Sequence, residues 1–373
     1  MHHIVEVSSD TNIGGAGRCL LTLLAHFDRK KFHITVILPK KSLLKPQVEA
    51  LGVPVYEVDE IAEKSLSWKA VSALRRLFRQ LKPDLVHTHA SMSARIAAKL
   101  AGTKIVYTRH SVFPPSKVLS TFPGKQINGI INNYLSDGII AVAEAAKDNL
   151  TATGISAKKI TVILNGVEPL TPAGLEEKKQ LKKRFDVRPE ENVVSIVARL
   201  EDIKGHDYFI DAAKRVLEEL PNVKFLIAGT GSYEAHLHQK VSDLHLEKNV
   251  LFTGFIKDVD KLMSITDIQA NASYGTEATS LALLEGMSLG VPAVVSDFGG
   301  NPGVIKDGKN GLIVPKQNAE ALANGILKLL TDAELYDKTS QGAKKIFSEQ
   351  FTAEAMTKHT EHLYSTILGG TKQ

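Results

Sequence analysis

Cysteine is nearly missing from this chain of 373 residues: Cys19 is the single one. An internal disulfide framework is therefore excluded, and a reducing compartment is the natural one. Cys19 falls inside the apolar run CLLTLLAHF, where a buried structural thiol is expected rather than a nucleophile. Long hydrophobic runs are missing too: no stretch reaches the ~18 apolar residues of a membrane span. The opening MHHIVEVSSD has neither the basic start nor the apolar stretch of a secretion leader and reads as a first strand. A cytoplasmic location is expected, with a peripheral place at the inner face of the cell membrane as the open alternative. No internal sequence repeat is present, and no nucleic-acid motif accompanies the basic residues, so a nucleic-acid partner is not expected.

What is present is an uneven charge and a regular alternation. Residues 1–167 hold 22 Lys+Arg against 12 Asp+Glu, whereas residues 168–373 hold 24 against 29. The basic first half suits an anionic membrane surface or a phosphorylated acceptor; a solvated face without a partner is the plain alternative. Along both halves, short apolar runs alternate with helical patterns. Strands are expected near 3–8, 33–38, 54–57, 84–88, 104–108, 138–142 and 160–164, then near 193–198, 223–228, 250–253, 267–271, 292–296 and 312–314. Helices are expected near 15–27, 66–81, 92–101 and 144–152, then near 206–219, 232–244, 258–264, 281–288, 319–331, 334–348 and 352–368. Such alternation means parallel sheets covered on both faces. The polar, charged stretch 168–185 reads as a linker leading into a helix and divides the chain into residues 1–167 and 168–350.

The chemistry concentrates in SYGTEATSLALLEGMSLGVPAVVSDFGGNPG, residues 273–303. Glu277 belongs to a loop and Glu285 to the helix LALLEGMSLG, which Gly290 and Pro292 end. Backbone N–H groups near Ser280 and Leu281 would point outward at the positive end of the helix dipole, a seat for phosphate. Upstream, VVSIVARLEDIKGHD (193–207) reads as a buried strand ending at Arg199, with Lys204-Gly205 on the loop beyond. Open α/β folds hold ligands at that carboxyl edge. Two cations and a helix N-terminus suit a diphosphate, and two carboxylates suit sugar hydroxyls. Together they suggest a nucleotide-sugar. In the first half, Gly14-Gly15-Ala16-Gly17-Arg18 follows a strand and opens a helix, so the backbone can approach an anion closely; its spacing is not the dinucleotide fingerprint. A tight packing turn is the alternative there, and Arg18 is equally readable as a surface residue.

RLEDIKG, the Glu pair and GG-N-P resemble a retaining glycosyltransferase of family 4 on the two-domain GT-B fold. IGGAGR (13–18), PDLVHTHAS (83–91), YTRHS (107–111), AVAEAAKDNL (141–150), ILNGVE (163–168), LIAGTGSYE (226–234) and VLFTGFIKDV (250–259) match in order and spacing. The resemblance implies two Rossmann-like, doubly wound parallel-sheet domains facing an interdomain cleft. Residues 1–167, with a crossover helix in 351–373, would bind acceptor, and 168–350 the nucleotide-sugar. It implies that the loop near Gly14 and Gly15 closes over the donor diphosphate. His110 would be the reaction-centre histidine, donating hydrogen bonds to sugar or phosphate, with a hydrogen-bonded strand-end histidine as the alternative. Glu277 would hold hydroxyls of the donor sugar and Glu285 the ribose. Arg199, Lys204 and the helix start at Thr279, Ser280 and Leu281 would stabilise the leaving diphosphate. Gly229, Gly231 and the backbone near Phe255 and Ile256 would line a uracil base, guanine and adenine staying open.

Retention is expected through a same-face substitution by way of an oxocarbenium-like state, rather than through the carboxylate pair of a retaining glycosidase. No cofactor and no metal are expected, because Arg199 and Lys204 already supply two positive charges. His87 and His89 flank Thr88; strand alternation is read as turning at most one of them to the ligand side, and no Asp-x-Asp accompanies them. The chain departs from the family pattern at Ala278-Thr279-Ser280, where a glycine pair is usual, at Ala143, often Ser, and at Gly303, often acidic. The expected activity is transfer of a hexosyl unit from a UDP-sugar to a cell-envelope saccharide or lipid-linked acceptor. A non-catalytic nucleotide-sugar-binding protein and a sugar-nucleotide epimerase are the alternatives. Two surfaces are candidates for the acceptor or a membrane: the basic amphipathic segment 64–83, although a stripe such as its Trp68, Val71, Leu74, Phe78 and Leu81 is more often a core face, and a flap over 111–130.

Overall fold

Strands that read as nearly unbroken apolar runs, such as ITVIL and KFLIA, need cover on both faces, and both halves of the chain provide it. The computed structural model describes residues 1–61, 66–113 and 115–369. Lys64 and Ser65 of the basic segment, Pro114 of the flap and residues 370–373 of the crossover range lie outside the described residues. The chain forms two units, Val167–Thr352 and a first unit in which Met1–Gly166 is joined by the C-terminal helix Ala353–Ile367.

The first unit carries β1 (His2–Ser8), β2 (Phe32–Leu38), β3 (Val55–Glu57), β4 (Leu85–His89), β5 (Lys104–Arg109), β6 (Gly138–Ala141) and β7 (Ile160–Val162). They lie in the order β3-β2-β1-β4-β5-β6-β7, all parallel. The second carries β8 (Asn192–Val197), β9 (Val223–Ala228), β10 (Val250–Gly254), β11 (Ile268–Asn271), β12 (Ala293–Ser296) and β13 (Gly311–Val314). Their order is β10-β9-β8-β11-β12-β13, again parallel. Each sheet grows outward from its first strand, one way and then the other, the doubly wound order. The gap where the direction reverses lies between β1 and β4 in one unit and between β8 and β11 in the other, and loops diverge there to leave a crevice.

Alternation along the strands sends neighbouring residues to opposite cores. In the first unit Ile4, Leu85 and Val106 join Leu20, Leu24, Phe32 and Tyr364 on one face. Val5, Val86 and Ile105 join Val71, Leu74 and Phe78 on the other. In the second unit Val194, Ile196, Phe225 and Ile227 pack on one side, and Val193, Leu226 and Ala228 on the other.

Two helices of the first unit bear on surface function. The helix Trp68–Leu81 starts where Ser67 Oγ accepts from the Ala70 amide at 3.3 Å and buries Ala70, Val71, Leu74 and Phe78, leaving Trp68 outside. Its apolar stripe is thus a core face. Pulling Val71, Leu74 and Phe78 out would cost on the order of 5 kcal/mol at ~1.5–3 kcal/mol per side chain, more than a few Lys or Arg gain at an anionic surface at ~1 kcal/mol each. The stretch expected as a flap contains helices Lys117–Ser120 and Gly124–Tyr134. The second escapes a search for an apolar core stripe because its buried side is polar and small. Gly129 and Asn132 are buried, Arg95 Nη1 donates to Asn132 Oδ1 at 2.8 Å, and Asn128 Nδ2 donates to the Thr153 carbonyl at 2.7 Å. A Cβ on Gly129 would lie 2.3 Å from the Gly154 carbonyl oxygen, so only glycine allows this close approach.

Candidate functional site

In the second unit, three loops meet at the carboxyl edge beside the β8/β11 reversal. The first leaves β8 through Arg199, makes a tight turn at Asp202–Lys204 and enters the helix His206–Glu219. Gly205 allows that entry: its φ is +76°, and a Cβ there would sit 2.1 Å from the Ala272 carbonyl oxygen. The second leaves β11 through Ser273, Gly275 and Glu277 into the helix Leu281–Leu289. Ser280 caps that helix, accepting from the Leu283 amide, and Gly290 closes it in the left-handed conformation, φ +81°. The third loop carries Gly299, Gly300 and Asn301 after β12. The Gly300 amide donates to the Glu277 carbonyl at 2.9 Å, and a Cβ on Gly300 would lie 1.5 Å from the Ala278 carbonyl oxygen.

Lys204 and Glu277, expected to hold different parts of a ligand, pair with each other. Lys204 Nζ donates to Glu277 Oε2 at 3.0 Å and to the Thr276 carbonyl at 3.0 Å, with both side chains largely buried. The same Oε2 accepts from Ser273 Oγ at 3.1 Å and Asn271 Nδ2 at 3.3 Å. Asn271 Oδ1 in turn accepts from Asn301 Nδ2 at 3.4 Å, and Asn301 also donates to Ser296 Oγ at 3.1 Å. Glu277 is thereby held from three sides in a partly dehydrated setting, where charge-assisted hydrogen bonds are strong.

The other expected residues are spread around this pair. Ser280 and Leu281 form the helix start, with Thr279 just before it. Glu285 is buried one turn along the same helix. Arg199 leaves the same edge, but its side chain is 71% exposed and pairs with Glu201 at 2.7 Å; it is not drawn into the Lys204–Glu277 contact. Gly229 and Gly231 brace the Arg199 loop: a Cβ would lie 2.0 Å from the Ala198 carbonyl oxygen and 2.2 Å from that of Leu200. Phe255 follows β10 and is exposed, while Ile256 leans on the core. Asn271, Ser273 and Asn301 were not singled out by sequence. Their signal is polar residues ending buried runs, IQAN-A-S and GGN, at strand ends that face a ligand crevice. A cavity of about 260 Å³, lined by Lys178, Lys182, Asp267 and Tyr336, lies at the amino edge of this sheet, away from these loops.

In the first unit, Gly14 begins the helix Gly15–His26, and a Cβ on Gly14 or Gly15 would meet nothing within 4 Å. These glycines leave open space rather than relieve a clash. Arg18 lies one turn into that helix, and Cys19 is buried, its thiol pushed up to about 12 by burial. The expectation that at most one of His87 and His89 turns to the ligand side is corrected. Residues two apart on a strand share a face, and the two rings lie 4.5 Å apart on the same side. His89 Nε2 lies 3.0 Å from Glu6 Oε2, and His89 Nδ1 lies 2.7 Å from His110 Nε2. His87 Nδ1 lies 2.5 Å from the Tyr364 hydroxyl, and its Nε2 lies 2.6 Å from Thr108 Oγ1. Tyr364 donates to Glu6 Oε1 at 2.8 Å. Burial pushes the Glu6 carboxyl up, but His87 and the hydrogen bonds from His87 and His89 outweigh it and hold it well below the carboxylate range. Burial, aided by His89 and His87, holds His110 well below the usual histidine value. Glu6, His87 and His89 have ligand atoms within 4.8 Å of one another, the residue types of a metal site. Both carboxylate oxygens and all four ring nitrogens are engaged by protein groups, so the cluster is a closed hydrogen-bond network and we assign it no metal.

Two family models tile the chain: Glycosyltransferase Family 4 over residues 13–169 and Glycosyl transferases group 1 over residues 177–346. The chain is 28% identical over 345 residues to UDP-Gal:alpha-D-GlcNAc-diphosphoundecaprenol alpha-1,3-galactosyltransferase of Escherichia coli, covering 87% of this chain and 86% of that protein. It is 27% identical over 293 residues to N-acetyl-alpha-D-glucosaminyl L-malate synthase of Bacillus anthracis, covering 76% and 75%. Anabaena HepE, solved in complex with UDP, superposes with a TM-score of 0.85 at 23% identity, over 97% of this chain and 99% of that one. This likeness is one of fold: two parallel-sheet α/β units of the GT-B type.

Proposed function

We propose, on the premise that this chain belongs to the glycosyltransferases of family 4, that it transfers a hexosyl unit from a UDP-sugar, retaining anomeric configuration and using no metal. The observation that carries this reading is the buried Lys204–Glu277 pair at the strand reversal, beside the helix start at Ser280 and Leu281. When the sugar–phosphate bond breaks, its electron pair passes to the diphosphate. Lys204, the helix N-terminus and, on release from Glu201, Arg199 are read as meeting that charge. Glu277 aims Lys204 and offers a carboxylate to sugar hydroxyls, while Glu285 on the same helix is read as the ribose contact. His110 in the first unit is read as the reaction-centre histidine, and Gly14, Gly15 and Arg18 as the loop nearest the donor phosphates. The acceptor hydroxyl attacks the face the diphosphate leaves, and its proton departs with the diphosphate.

A lipid-linked or envelope saccharide is the proposed acceptor, borne by the first unit. The Escherichia coli relative is named for a diphosphoundecaprenol acceptor, and the basic first half suits such an anion. The experiment is a panel of nucleotide-sugars with and without a lipid-diphosphate saccharide. Lys204→Ala is expected to lower kcat by about 10²–10³-fold, with the fold retained by circular dichroism. The anomeric configuration of the product is read by proton NMR, and chelator is expected to leave the rate unchanged. Full transfer by Lys204→Ala would remove the phosphate role, and conversion of donor to an isomer without acceptor would make the protein an epimerase.

A further inference from the structure

Glu6 stands where β1 faces β4, with Glu6 opposite His87, Ser8 opposite His89 and His89 opposite Thr108. Along this face the side chains change from apolar, at Ile4, Leu85 and Val106, to ionisable toward the carboxyl edge, ending at His110. A buried carboxylate is costly unless hydrogen-bonded, and this one is bonded by Tyr364, His87 and His89. Nothing in the proposed transfer yet uses it.

The proton positions along this chain follow from what each group can do. An ionised carboxylate only accepts, so the hydrogen between Glu6 Oε2 and His89 belongs to His89 Nε2. When His89 carries a single N–H, that hydrogen faces Glu6 and its Nδ1 is left an acceptor. His110 Nε2, 2.7 Å from that Nδ1, must then carry the shared hydrogen. The remaining nitrogen of His110, Nδ1, is left as a lone pair. Tyr364 keeps its phenol proton, burial and the Glu6 charge pushing it well above its ordinary value. Cys19, which lines the same cavity of about 30 Å³ with His87, His89 and His110, stays a thiol.

We propose that Glu6 and His89 are positioning residues that hold His110 in its Nε2–H tautomer, so that His110 Nδ1 meets the substrate as a hydrogen-bond acceptor. Such a group selects a hydroxyl and repels a phosphoryl oxygen, which has no hydrogen to give. The inference rests on the reading of His110 as the reaction-centre residue, and it refines that reading: His110 orients a sugar or acceptor hydroxyl rather than donating to the diphosphate. The arrangement parallels the carboxylate that fixes the tautomer of a catalytic histidine in hydrolytic triads.

The test is long-range ¹H–¹⁵N NMR of histidine-labelled full-length protein at neutral to slightly alkaline pH, with the ring signals assigned through His89→Gln and His110→Gln. The wild type is expected to show His110 as a single Nε2–H tautomer. In Glu6→Gln the amide can donate as well as accept, so His110 is expected to become a tautomer mixture. Its kcat should fall about 10–100-fold, as for the loss of a group that orients a functional histidine, with donor KM unchanged. His89→Gln gives a second, independent break of the chain with the same expected mixture. An Nδ1–H tautomer in the wild type, or an unaltered tautomer in both variants, overturns the proposal whatever the transfer rate. Full transfer by His110→Ala with the expected tautomer instead overturns the reading on which it rests.

Discussion

Lys204 and Glu277 hold each other until a ligand competes, and their neighbour His206 illustrates the cost of building such a site. His206 opens the helix His206–Glu219, is fully buried, and is pushed down to about 4 by burial, with Lys204 adding to the effect. Its folded form therefore binds a proton less readily than its unfolded form. Below the ordinary histidine value of ~6.5 the unfolded chain gains the proton first, so stability falls as pH drops from there toward about 4. The shift corresponds to about 3 kcal/mol. His87 and His110 are also held below their ordinary value, chiefly by burial, and act in the same direction. Glu6 adds its own loss lower down, below the ordinary carboxylate range, where the unfolded chain takes a proton that the folded carboxylate resists. The expected outcome is a melting temperature that falls steeply between pH 7 and pH 4 and less steeply in His206→Gln. Parallel melting curves for the two proteins would show that His206 is not the titrating group.

At the scale of elements, the helix Gly124–Tyr134 is the unusual one, because its polar and small side faces inward. The residues left outside are Ile127, Ile130, Ile131 and Tyr134, joined by Val118, Leu119 and Phe122 just before it; Ile130 is 70% and Phe122 81% exposed. From Leu85 to Ser136 no Asp or Glu occurs, whereas Arg95, Lys99, Lys104, Arg109, Lys117 and Lys125 do. An apolar surface in a stretch without negative charge matches the interface of an anionic bilayer, where a lipid-linked acceptor would reside. The helix Trp68–Leu81, whose stripe is spent on the core, matches it poorly. Flotation with phosphatidylglycerol vesicles is expected to carry the protein up, and phosphatidylcholine vesicles to carry less. Ile130→Asp with Phe122→Asp should lower the bound fraction about tenfold or more at ~1.5–3 kcal/mol per lost apolar contact. Equal flotation of wild type and double variant would remove the membrane role from this helix.

For the whole molecule, the first unit closes only with the last helix. Tyr364 is fully buried among Phe27 and Phe32, Met356 joins the same core, and the Tyr364 hydroxyl is one of the partners of Glu6. Ending the chain after Thr352 would remove a large aromatic side chain from a core, worth about 3–5 kcal/mol, and leave a buried carboxylate short of a donor. Residues 1–352 are expected to show loss of cooperative melting in the first unit and its rapid proteolysis, while Val167–Thr352 persists as a resistant fragment. A truncated chain as resistant as the full one would show that this helix is dispensable.

The two alternating β/α halves, nearly every strand and the helix that carries Glu285 were legible in the order of residues alone. These follow from local periodicity and backbone sterics, which are written in neighbouring residues. The same order also placed Lys204 and Glu277 on loops that follow strands, but not in contact. Their pairing through Asn271, Ser273 and Asn301, the joining of Glu6, His87, His89 and Tyr364 across 358 positions of chain, and the outward apolar face of Gly124–Tyr134 belong to the tertiary structure. Each depends on which strands lie side by side and on which face of a helix finds a partner, choices settled by packing distant segments together.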